Sequence, residues 1–202
     1  MSAALDTLRA RIRAMERLKP PPPETVPVHP AIDSALPGGG LAPACLHQVL
    51  GADGPATAFA AAIAGRLAAR LERPVLWVVT GDDPYGPGLG LPPDRLLVAR
   101  ARDDRQVLWS MEEALKCPDL ACVVAEIGTL DLTAGRRLQL AAEAGGVTGL
   151  ALHPPLARAA NSGTTRWRVD WAPGGQWRVT LERCRNGAPG EWVAETLASI
   201  TG

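Results

Sequence analysis

Apolar positions along this chain change their period several times, and each change marks an element. Residues 45–50, 73–79, 95–98, 120–125 and 148–152 are apolar nearly throughout, as strands buried on both faces are. The fourth of these runs ends in Glu126. Between them, apolar residues recur at steps of three and four, the spacing of one helix face. Such stretches cover 57–71, 106–116 (through Val107, Leu108, Met111 and Leu115) and 134–144. Strands alternating with helices predict a parallel sheet with right-handed crossovers. After His153 the period becomes two. Residues 165–171 and 176–183 alternate, and Ala172-Pro-Gly-Gly175 joins them, which predicts an antiparallel hairpin. The predicted class is α/β: a mostly parallel sheet flanked by helices, with a C-terminal antiparallel hairpin.

Upstream, residues 5–18 place Leu5, Leu8, Ile12 and Met15 on one helical face, with Arg9, Arg11, Arg13, Arg17 and Lys19 over much of the rest. A helix this short is marginal alone and needs a surface, either its own domain or a partner. Four prolines, 20–23, then enforce an extended linker. The expected organisation is a helix over 1–19, a linker over 20–25 and a core over 26–202.

The stretch Gly51-Ala-Asp-Gly-Pro-Ala-Thr-Ala58 follows a strand and opens a helix, the setting of a GxxxxGK[ST] phosphate-binding loop. Gly51, Gly54 and Thr57 are the positions left to touch a nucleotide. Ala56 replaces the last glycine, Thr57 the lysine and Ala58 the magnesium-binding hydroxyl. The lysine reaches the β/γ-phosphates and the hydroxyl holds Mg²⁺. Without both, ATP hydrolysis is not expected, no cofactor is assigned, and the helix N-terminus keeps only a weak attraction for anions. A divergent ATPase using Thr57 and backbone amides is the enzymatic alternative.

Composition narrows the partners. Net charge is zero, so no global field draws the chain to nucleic acid or membrane. Cys45, Cys117, Cys122 and Cys184 form no C-x-x-C pair, and the three histidines offer no zinc spacing, so buried free thiols and no metal are expected. His47 and His153 lie in or beside apolar strands and read as core or strand-end groups. Asp103-Asp104, between Arg102 and Arg105, reads as a solvated loop. No signal peptide or membrane-spanning run is present, which reads as a cytoplasmic protein. In the hairpin, Arg166, Arg168, Arg178, Arg183 and Arg185 interleave with Trp167, Trp171 and Trp177. Alternation puts Arg166 and Arg168 on the face opposite Trp167. The arginine face is solvated, or docks a protein, or contacts DNA weakly, with Asp170 and Glu182 diluting its charge.

The order of these pieces resembles the RecA-like ATPase core over most of residues 26–195. The resemblance lies in Ile-Asp-Ser-Ala-Leu-Pro-Gly-Gly-Gly-Leu at 32–41 before the strand into Gly51, in Asp83-Pro-Tyr85 with Asp94-Arg-Leu-Leu97, and in the hairpin. Within that superfamily the chain is similar to ImuA, a family encoded in bacterial inducible-mutagenesis cassettes. Leu108-Trp-Ser-Met-Glu-Glu-Ala-Leu115, residues 136–144, Thr165-Arg-Trp-Arg-Val169 and Glu182-Arg-Cys-Arg-Asn-Gly187 carry the likeness. The resemblance implies a part in DNA-damage-induced translesion synthesis, with ImuB (an inactive Y-family polymerase homologue) and an error-prone C-family polymerase as partners; contact with RecA itself through shared protomer surfaces is a further expectation. It also places Asp82 or Asp83 where RecA-like enzymes carry a water-activating carboxylate, and Glu126 where a metal-coordinating Asp would stand. The 153–164 connection is shorter than the RecA DNA-binding loop. Docking is expected through Leu5, Leu8, Ile12 and Met15 and through Arg166, Arg168, Arg183 and Arg185. A SulA-like cell-division inhibitor is the alternative.

Overall fold

The computed structural model describes residues 24–51, 54–82 and 89–194. The stretch bearing Leu5, Leu8, Ile12 and Met15, the proline run and Asp83 lie outside these residues. In chain order the elements are α1 (Pro30–Asp33), β1 (Leu46–Gly51), α2 (Pro55–Leu71), β2 (Val75–Val79), β3 (Leu96–Arg100), α3 (Asp104–Leu115) and β4 (Cys122–Glu126). There follow α4 (Leu132–Gly145), β5 (Thr148–His153), β6 (Thr165–Trp171), β7 (Trp177–Cys184) and β8 (Gly190–Ala194).

The strands form one sheet in the order β3-β2-β4-β5-β1-β6-β7-β8. Every neighbouring pair from β3 to β6 is parallel. Then β7 runs antiparallel to β6, and β8 antiparallel to β7. The expected α/β class and hairpin are therefore observed, with β6 itself entering the sheet parallel to β1.

Burial on both faces explains the continuous apolar runs of the central strands. Every position of β1 and β5 is buried. On one face, Phe59, Ile63 and Leu67 of α2 pack over Trp77, Val79, Trp167 and Val169. The Phe59 and Trp167 rings meet at 5.5 Å between centroids. On the other face, Val107, Met111 and Leu115 of α3 and Leu138 and Ala142 of α4 cover Val78, Val123 and Ala151. Each fully buried Val, Leu, Ile, Phe or Met among them contributes about 1.5–3 kcal/mol.

Three expectations are corrected. The 95–98 run forms β3, but as the edge strand of the described sheet, with Leu97 and Val98 exposed. Of the four free cysteines only Cys122 is buried; Cys117 is exposed and the other two are intermediate. Asp103 and Asp104 are not an idle loop. Asp103 caps α3 by accepting from the Gln106 amide at 2.8 Å, as Asp131 caps α4 by accepting from Ala134 at 2.7 Å.

The buried polar group His47 is fully satisfied, as a core position requires. Its Nε2–H donates to the Ala42 carbonyl at 2.8 Å. Its Nδ1 accepts from the Thr165 hydroxyl at 2.7 Å, and that oxygen accepts from the Trp167 indole at 2.7 Å. Burial holds the His47 pKa down to about 4 against the bond to Ala42, so the ring is neutral at pH 7. The chain of bonds ties the segment before β1 to β6.

Candidate functional site

Parallel strands deliver their C-terminal ends to one edge of the sheet, where open α/β folds place ligands. Here Gly51 of β1, Thr80 after β2, Glu126 of β4 and His153 of β5 converge on a cavity of about 300 Å³. Thr57 from the first turn of α2 and Asp104 from α3 complete its polar wall.

The described ends of the β1–α2 turn, Gly51 and Gly54, are both positions that only glycine fills. Gly54 stands at the N-cap with φ +96°, a conformation that excludes other residue types, and no side chain caps the helix. Gly51 is fixed by packing instead: a Cβ there would lie 2.0 Å from the Val169 carbonyl oxygen of β6. The helix N-terminus therefore still faces the cavity through Thr57. The charge is the reverse of a phosphate cradle. No lysine or arginine lines the cavity among the described residues, and Asp104 and Glu126 put two carboxylates there. Carboxylates in the wall disfavour a bound polyphosphate rather than drawing it in.

Each of these polar groups also holds the framework. Asp104 accepts from the Gly128 and Thr129 amides at 3.3 and 3.0 Å, tying α3 to the turn after β4. Glu126 accepts from the buried Trp77 indole at 3.3 Å. His153 is 3% exposed, and its Nδ1–H donates to the Ile127 carbonyl at 2.8 Å. That bond fixes the tautomer and leaves Nε2 as a buried acceptor without a partner among the described residues. Burial, aided by the Arg166 charge, lowers the His153 pKa to about 4, against the Ile127 bond and the Asp104 charge. No group of three His, Cys, Asp or Glu side chains among the described residues is arranged to hold a metal.

Sequence reading found Gly51, Gly54 and Thr57 through the strand–glycine–helix order. It named Glu126 through the RecA-like resemblance, did not name Thr80, read Asp104 as part of a solvated loop, and read His153 as a core or strand-end group. The available signal was position: each lies at or just past the end of a parallel strand or at a helix start.

No family model matches the chain. It is 39% identical to Protein ImuA of Caulobacter vibrioides (strain NA1000 / CB15N), across 82% of this chain and 80% of that protein. Protein ImuA of strain ATCC 19089 / CIP 103742 / CB 15 of that species matches to the same extent. The chain belongs to the ImuA family.

In this ImuA-family fold the hairpin splits as alternation requires, with Trp167 and Trp177 buried and Arg166 and Arg168 on the opposite face. Those arginines are engaged internally. Arg166 donates to Glu182 at 2.9 Å and to the Ala159 carbonyl at 2.7 Å. Arg168 donates to Glu182 at 2.7 Å and to the Pro155 carbonyl at 3.3 Å. Arg183 donates to the Gly163 carbonyl at 2.5 Å. Arg185 lies 3.7 Å from Glu143 of α4. Burial pushes the Glu182 carboxyl upward, but the bonds and charges of Arg168 and Arg166 outweigh it and hold it below its ordinary value. The arginine face of this ImuA relative is thus a clamp on residues 155–163, the connection that leads into β6.

Proposed function

We propose that this ImuA-family chain is a non-catalytic, cytoplasmic accessory protein of DNA-damage-induced error-prone synthesis. It works by docking with an ImuB-type inactive Y-family polymerase homologue and an error-prone C-family polymerase, and it contacts RecA. Family membership at 39% identity is the observation that carries this reading. The strand-end cavity supports its non-catalytic part, because the position a phosphate loop gives to lysine holds Thr57 and two carboxylates occupy the wall. The internal engagement of Arg166, Arg168 and Arg183 favours a structural role for the hairpin over strand gripping.

The test is induced mutation frequency after ultraviolet damage in a deletion strain, with cell length scored in the same cultures. Loss of induced mutation with normal filamentation is expected. Unchanged induced mutation refutes the reading, and lost filamentation alongside it turns the assignment to a SulA-like division inhibitor. Saturable binding of Mg²⁺-ATP at micromolar concentration would overturn the non-catalytic part.

A further inference from the structure

Trp109 of α3 is 62% exposed, although a large aromatic side chain in a helix ordinarily turns to the core. It stands between two adjoining hollows. One, of about 440 Å³, runs between α3 and α4 past Leu108, Ala134 and Leu138. The other, of about 410 Å³, lies toward the start of α3 beside Arg102 and Gln106. Arg105 and Trp109 line both.

The charges around the indole are unequal in availability. Glu112 is held by Arg137 and lies 3.4 Å from Lys116, Asp103 caps α3, and Asp104 holds the Gly128 and Thr129 amides. Arg102, Arg105 and Arg137 against Asp103 and Glu112 leave the lining of the two hollows with a small net positive charge. The guanidinium groups of Arg102 and Arg105 have no hydrogen bond or ion pair among the described residues. What the surface presents is an open aromatic platform with two available cations, the residue types that dominate interface energetics.

We propose that this α3–α4 groove docks an acidic segment of a partner protein. An apolar side chain of that segment packs on the Trp109 indole, and its carboxylates meet Arg102 and Arg105. The inference rests on the docking function proposed above and adds the surface and the chemistry of the partner. A nucleic-acid strand fits less well, because phosphate tracking needs a continuous row of cations and Asp103, Asp104 and Glu113 interrupt this one. The chain's own N-terminal stretch is a poor occupant, since Arg9, Arg11, Arg13, Arg17 and Lys19 outnumber Asp6 and Glu16 and give it a positive charge that does not complement Arg102 and Arg105.

The experiment uses the full-length chain and fluorescence anisotropy. Three labelled probes are titrated: an amphipathic helical peptide with Leu and Phe on one face and Glu elsewhere, its lysine-for-glutamate counterpart, and oligo-dT. The acidic peptide is expected to bind, and Trp109→Ala and Arg105→Glu each to weaken it about tenfold or more, while Trp109→Phe retains most of the affinity. Thermal melting checks the variants; if Trp109→Ala disturbs the fold, the exposed Arg105→Glu decides. Acidic and lysine peptides binding alike, or affinity indifferent to Trp109→Ala, overturns the proposal. So does oligo-dT binding more tightly through Trp109. Titration with the ImuB-type homologue and the C-family polymerase separates the two levels. Binding there that survives Trp109→Ala overturns this surface and leaves docking intact, whereas no binding by the unmodified chain sinks the docking function itself.

Discussion

Acidification should unfold this protein through two histidines before its carboxylates respond. His47 and His153 are both buried, and each has a folded-state pKa of about 4. In the unfolded chain an imidazole titrates near 6.5. Between those values the unfolded chain binds protons that the folded chain refuses, so stability is complete above about pH 6.5 and falls as pH drops toward 4. At pH 4.5 an unfolded histidine is almost fully protonated and the folded one mostly neutral. With about 1.4 kcal/mol per unit, each residue then costs about 2.5 kcal/mol of stability, and the pair about 5 kcal/mol. That is a large share of the ~5–15 kcal/mol that holds a domain of this kind folded. Urea unfolding followed by tryptophan fluorescence from pH 7.5 to 4.5 reads the loss directly. His47→Gln lowers stability at pH 7 by breaking the bonds to Ala42 and Thr165, and it should remove about half of the pH dependence. A midpoint that stays flat or rises between pH 7 and 4.5 would refute the reasoning.

Glu182→Ala strips the acceptor shared by Arg166 and Arg168, and about 2 kcal/mol should be lost in urea unfolding, with faster proteolysis between residues 155 and 163. An unchanged digestion pattern would show that the clamp does not hold that connection. Gly51→Ala drives a methyl group into the Val169 carbonyl, so a loss of at least about 2 kcal/mol, or failure to accumulate folded protein, is expected. Asp103→Ala removes the cap of α3 and should lower stability by about 1 kcal/mol, measured by thermal melting.

How much of this was legible depended on distance along the chain. The central strands announced themselves because burial on both faces demands unbroken apolar runs, and 122–126 or 148–153 could hardly be anything else. Edge elements were harder. The β8 segment is short and mixed, with Glu191 and Val193 exposed and Trp192 half-buried, so neither periodicity nor length marked it. The turn with Gly51, Gly54 and Thr57 was readable as a local pattern. Asp104 was not, because its partner Gly128 lies 24 residues away and only the packing of α3 beside the end of β4 brings it near. Glu182 was visible as a charge opposite the arginines of the hairpin, but not as the acceptor that both share. Trp109 looked like one more apolar residue of a helix, since periodicity does not report which of several apolar positions the core leaves outside.

The strand order carries a consequence for how the chain can be made. β1 is bracketed by β5 and β6, whose first residues are Thr148 and Thr165. While the ribosome is still producing β2, β3 and β4, the apolar ribbon 46–51 has both edges bare and nothing to pair with. Contacts this remote in sequence close slowly and leave strand edges open to other chains meanwhile. A nascent chain stalled before Thr148 should therefore be a sticky intermediate, shielded from aggregation only by chaperones, and the molecule becomes safe when its last third arrives.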